Sequence, residues 1–175
     1  MIRSTESKRV YKAFMAGEVI NKTIPNDSKS ELVENTLYNA LVTEQMNYET
    51  LYQNIGYKLS ALDEAFYLQG LSNEDSRDPA MEVQVIIEAL SIGMLKNHVP
   101  KGRFTEYSAG LPTGLIERCM ADDEITDLLH NCNIKDGLDK AIQNKLIARK
   151  LAFKNAHGRL VLSAGGKAIF DAIYQ

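Results

Sequence analysis

The chain has little of what enzymes and secreted proteins usually carry. It holds only two cysteines, Cys119 and Cys132, thirteen positions apart, and no CxxC pair. The three histidines, His98, His130 and His157, are scattered. That pattern argues against a structural zinc site and leaves two reduced thiols as the simpler reading. No stretch approaches the ~18 consecutive apolar residues that a membrane-spanning helix requires. Met1 to Glu6 have no apolar signal core. A soluble, cytoplasmic protein is the expectation, with no cofactor. The formal net charge is only -3, so the molecule as a whole is not a general binder of polyanions.

What is present is a normal apolar fraction of 45% with 25% charged residues, enough to build a packed core in 175 residues. The charge is unevenly placed. Between Ile134 and Lys167 stand Lys135, Lys140, Lys145, Arg149, Lys150, Lys154, Arg159 and Lys167, against only Asp136 and Asp139. That segment carries +6, which leaves -9 for the rest of the -3 total. An acidic body is joined to a basic module.

Apolar spacing predicts the elements. A helix is expected over 8–20, with Val10, Phe14, Val19 and Ile20 as an imperfect stripe. Pro25-Asn26-Asp27-Ser28 breaks the chain, and Asp27 or Ser28 offers a cap for a second helix from Glu31 to Leu41. Tyr48, Leu51, Tyr52 and Ile55 fall at i, i+3, i+4 and i+7 of a third helix, which Gly56 ends in the left-handed conformation. Tyr57–Leu59 and Phe66–Leu68 read as a hairpin around Asp63-Glu64.

The polar run Gly70–Pro79 is the expected domain boundary, with Asp78 as cap and Pro79 as first residue of the next helix. That helix, over 79–96, is apolar on almost every side and must be covered by its own chain or by a partner. A loop is expected over 97–112. A helix over 115–131 is interrupted by Asp122-Asp123-Glu124. Next come a helix over 135–147, a hairpin from 149 to 163 turning at Asn155-Ala156-His157-Gly158, and a closing helix over 167–174.

Helix, helix, hairpin therefore occurs twice. The fold class is mainly α with small β-hairpins (α+β), read as tandem winged-helix domains at 1–72 and 79–175. Such modules bind nucleic acid or protein and seldom do covalent chemistry.

Residues with chemical potential are few. Ser163-Ala164-Gly165-Gly166-Lys167 opens a helix after a strand but lacks the first glycine of a phosphate loop and continues into Ala168. It reads as a tight turn that uses glycine's backbone angles. His130, Cys132 and Asp127 are sequence neighbours, which does not make a nucleophile and its base. The acidic cluster lacks the alternate spacing of a calcium loop and reads as solvated surface or a basic partner's docking site.

The basic hairpin is the strongest site signal. Lys140, Lys145, Arg149, Lys150, Lys154 and Arg159 are candidate DNA contacts, to phosphates and independent of base sequence. The alternative is that these cations only keep an exposed hairpin soluble. The first module has no cation between Lys29 and Lys58 where a DNA-reading helix would lie, and it has Glu44 and Glu49 there. It shows Tyr38, Tyr48 and Tyr52 instead, which serve either a protein interface or the core.

The run from Leu37 to Leu41, the stretch Tyr48–Leu59 and Phe66-Tyr67-Leu68 resemble the first winged helix of MukE and MksE, accessory subunits of bacterial condensin-like SMC complexes. The apolar central helix, Phe104-Thr105-Glu106, the acidic stretch and the basic hairpin resemble the second. The likeness covers roughly Ser30 to Tyr174, and the short chain without a C-terminal tail is closer to MksE. The resemblance implies a non-enzymatic, dimeric tandem winged-helix subunit that binds the kleisin (MksF- or MukF-like). It would sit near the SMC ATPase (MksB- or MukB-like), with ATP hydrolysis left to that partner. It also implies a place on the nucleoid, weak and non-specific DNA association, and a role in chromosome organisation or plasmid defence. The competing reading is a winged-helix transcriptional regulator.

Overall fold

The computed structural model describes residues 4–26, 28–71 and 79–174. Of the expected domain boundary Gly70–Pro79, residues 72–78, which include the Asp78 cap, lie outside the described residues, and so does residue 27.

The protein is mixed α+β, dominated by helices, with small antiparallel sheets. The first half opens with α1 (Ser4–Met15), whose Val10 and Phe14 are buried. The expected helix over 8–20 thus stops early. Gly17 takes a φ of +74°, and Ile20 leaves the helix for the short strand β1 (Ile20–Asn21). A second difference follows. The expected helix over 31–41 loses its first residues to a hairpin, in which Thr23–Asn26 (β2) pairs with Glu31–Glu34 (β3). Leu32 and Val33 fit a helical stripe and a strand equally well, and the pairing with Ile24 and Pro25 decides for the strand. Helix α2 (Thr36–Thr43) begins only after Asn35, whose Oδ1 accepts the Leu37 amide at 3.0 Å.

From there expectation and structure agree. Helix α3 (Gln45–Gln53) ends ahead of Gly56, which has a φ of +86°. Strands β4 (Tyr57–Ala61) and β5 (Ala65–Gly70) form the hairpin, and β1 adds to β5 as a third strand. One core gathers Val10, Phe14, Ile20, Leu41, Tyr48, Tyr52, Leu59 and Phe66.

The second half is built on α4 (Pro79–Lys96), whose Val83, Ile86, Ile87, Leu90 and Met94 are buried in the larger core. Its own half covers it: α4 packs against α6 (Thr113–Met120) and α7 (Asp123–Asn131), among others. Met81 and Leu95 remain 61% and 78% exposed. The expected loop over 97–112 contains a short helix, α5 (Gly102–Thr105), and Leu111 bridges to Leu160.

The expected helix over 135–147 starts later, as α8 (Leu138–Ala141), and widens into a π-helical segment, Ile142–Ile147. Strands β6 (Ala152–Lys154) and β7 (Leu160–Leu162) form the second hairpin, and α9 (Ala164–Ile173) closes the chain. Each half thus runs helix, short pairing segment, helices, hairpin.

Candidate nucleic-acid interface and its anchoring

The six candidate DNA contacts differ in freedom. Lys140 on α8 is exposed, as are Lys150 ahead of β6 and Lys154 on β6. Lys145 sits on the π segment but its Nζ is 2.6 Å from Oε2 of Glu82 on α4. That ion pair compensates part of its charge. Arg159 is half-buried, and its Nη1 donates to the Ala109 carbonyl at 3.2 Å. Arg149 is also half-buried. Of the six candidates, the exposed cations are therefore Lys140, Lys150 and Lys154.

The hairpin tip is built by Asn155. Its Oδ1 accepts the amides of His157 and Arg159, and its Nδ2 donates to the Tyr107 carbonyl at 2.8 Å. Gly158 completes the turn at a φ of +70°. Nothing but the Asn-Ala-His-Gly run signalled this in the sequence.

The root of the hairpin shows a residue that sequence reasoning missed. Two i−5 bonds mark the end of the π segment, Ala148 N–H to Gln143 O and Leu151 N–H to Leu146 O. Lys150 then enters the left-handed region at a φ of +62°. This leaves the Arg149 and Lys150 carbonyls without helical donors. The first half supplies them: Val19 N–H donates to Arg149 O at 2.8 Å, and Asn21 Nδ2 to Lys150 O at 2.7 Å. Asn21 is 3% exposed. No sequence signal distinguishes it; it stands between Ile20 and Lys22 on a two-residue strand.

The Ser163–Lys167 segment is closed to phosphate by its own packing. Ser163 Oγ accepts the Gly166 amide at 3.2 Å, and Asn21 Oδ1 accepts the Gly165 amide at 2.8 Å. Both glycines are helical. Close approach and not, as expected, backbone angle is what requires Gly166: a Cβ there would lie 2.0 Å from the Leu151 carbonyl oxygen.

The tyrosines divide in the same way. Tyr48 and Tyr52, expected as interface candidates, are each 1% exposed and stack at 6.4 Å within the smaller core. Phe14 meets Tyr52 edge-on at 5.5 Å. Their spacing on α3 turns both rings toward α1 and away from solvent. Burial, with Tyr48 as a secondary cause, pushes the Tyr52 phenol up to about 12. Tyr38 is half-buried against Phe66 at 5.2 Å and keeps some surface. The outside of this half is apolar in a different place: Val42, Met46, Leu51 and Ile55 are exposed along α2, α3 and the turn after it.

The acidic cluster has a local partner. Lys96 Nζ lies 2.8 Å from Asp122 and 2.6 Å from Glu124. Asp122 also caps α7 by accepting the Ile125 amide. Lys96 first, then that amide, hold the Asp122 carboxyl below its usual range. Cys132 is the C-cap of α7, and burial pushes the Cys119 thiol up, away from thiolate. Among the described residues no three His, Cys, Asp or Glu side chains gather to hold a metal, and no helix is long and apolar enough to cross a membrane.

No curated protein matches the chain. The family model described as condensin complex protein MksE matches residues 5–173, nearly the whole length. The chain belongs to the MksE family and is a condensin complex protein.

Proposed function

We propose that this chain is the non-enzymatic subunit that grips the kleisin of a bacterial condensin-like SMC complex and helps the complex hold DNA. In this reading residues 1–72 and 79–175 are two winged-helix domains. The repeated order of elements and the two apolar cores, each drawn almost wholly from one half, support that division. The protein acts as a dimer on the nucleoid in the cytoplasm, and ATP hydrolysis belongs to the SMC partner.

One observation carries the division of labour. The first half leaves Val42, Met46, Leu51 and Ile55 in water, with Met46 80% exposed, whereas on the π-helical segment and hairpin of the second half and just before them the exposed candidate cations are Lys140, Lys150 and Lys154. Large apolar side chains that stay in water favour a protein partner. Scattered lysines favour phosphate contacts that do not read sequence. The segment that a regulator would insert into the major groove has Lys145 tied to Glu82, which favours the complex subunit over a sequence-reading regulator.

Co-purification tests this. The chain is expected to retain the kleisin of its own complex, and Met46→Glu with Ile55→Glu is expected to lose it while Lys150→Glu with Lys154→Glu keeps it. Failure of the unaltered chain to retain the kleisin, or nanomolar binding to a short palindrome at physiological salt, would overturn the proposal.

A further inference from the structure

The strand β1 lies between the two halves, and its successive residues belong to different cores. Val19, just before it, packs against the larger core of the second half, whereas Ile20 is buried in the smaller core of the first. Asn21 then turns its amide to the second half. Its Nδ2 donates to Lys150 O at 2.7 Å, its Oδ1 accepts from Gly165 N–H at 2.8 Å, and its own carbonyl accepts from Asn35 Nδ2 at 2.9 Å. Its backbone is paired with Ala65 of β5. One buried residue thus joins β5, the cap of α2, the left-handed turn at the hairpin root and the start of α9.

The chemistry is specific to an asparagine. Lys150 O needs a donor because the left-handed turn takes it out of the helical bonding pattern, and Gly165 N–H needs an acceptor because it is in the first turn of α9. A carboxamide of this length supplies both. Aspartate supplies only the acceptor and sets a second oxygen against Lys150 O; leucine supplies neither. The approach is also close: a Cβ on Gly165 would meet Val19 Cγ1 at 3.0 Å, Asn21 Oδ1 at 3.2 Å and Ala65 Cβ at 3.3 Å.

We propose that Asn21 is a positioning residue that fixes the direction of the basic hairpin relative to the first half. Combined with the reading under Proposed function, on which only the consequence for DNA rests, it sets where Lys150 and Lys154 stand relative to the kleisin-binding face. The hairpin moves with the first half as one body because the bond at its root is made by that half.

Distance measurement between spin-labelled unnatural amino acids at Gln53 and Ala156, both exposed, tests this without DNA or partner. The parent chain is expected to give one narrow distribution. Asn21→Asp and Asn21→Leu are expected to broaden it about twofold while the helical circular dichroism is kept, as a released hinge does. Unchanged width in both variants, with helicity kept, would overturn the proposal. If a variant loses its helicity, amide exchange in the unaltered chain decides. Val19 and Gly165 are expected to exchange within about tenfold of the core amide Leu111, and exchange about a thousandfold faster would show that the joint opens independently. Neither readout depends on the kleisin or on DNA, so failure here and failure of the proposed function are separable.

Discussion

Two residues of this chain are constrained by surroundings that alter their response to chemistry. Tyr52 has its phenol raised to about 12 from an ordinary 10.0 by burial. A folded-state value above the unfolded one adds stability that is complete below pH 10 and is lost as pH rises through 12. The melting temperature should therefore fall between pH 10 and 12, by an amount worth roughly 2 to 3 kcal/mol. Tyr52→Phe, which keeps the ring and removes the titration, should flatten that slope in thermal melts. Gly166 is the second case. Gly166→Ala forces a methyl into a 2.0 Å gap beside Leu151 O, so urea titration should show a loss of about 1–3 kcal/mol or more. The burial of Tyr48 and Tyr52 was half-legible: their i, i+4 spacing marks one helix face, but spacing cannot say whether that face meets water or α1. Asn21 was not legible at all. Its role depends on Lys150 and Gly165, more than a hundred residues away in sequence.

Elements with strong periodicity were the readable ones. The apolar run of α4, the acidic break capped by Asp122 and both hairpins β4–β5 and β6–β7 follow from local pattern and turn chemistry. The hairpin β2–β3 does not, because Leu32-Val33 satisfies either period and only its pairing partner chooses. Neither face of this hairpin is buried: Ile24 and Leu32, on opposite faces by the register, are each 41% exposed. Thr23 and Glu34 are paired directly, so an Asn-Gly turn placed between them in exchange for residues 24–33 should close the strand ends. The shortened chain is expected to melt within about 4 °C of the parent, a change of under roughly 1 kcal/mol. A larger drop would place the hairpin in the stabilising core. At the start of α2, Asn35→Ala removes both the cap bond to Leu37 and the bond to Asn21 O, and should cost about 1–2 kcal/mol in the same assay.

At the scale of the whole molecule the uneven charge was plain from composition, but its useful part was not. Of the six candidate cations, Lys145 is paired with Glu82 and Arg159 is held by Ala109 O, details of packing that no charge count contains. In the assembled complex, Lys150→Glu with Lys154→Glu is expected to weaken DNA retention at about 50 mM salt. The slope of log affinity against log salt should fall by about 2, one unit for each phosphate that is no longer neutralised. An unchanged slope would remove these lysines from the DNA path. The function proposed for the molecule rests above all on the first half being a protein-gripping module. Native mass spectrometry of the chain mixed with the kleisin of its own complex is the sharpest test. The expected spectrum shows a mixed species containing both chains, which disappears with Met46→Glu and Ile55→Glu while those variants keep their helicity. Spectra showing only the separate masses for the unaltered chain, or an undiminished mixed species for the variants, would refute it.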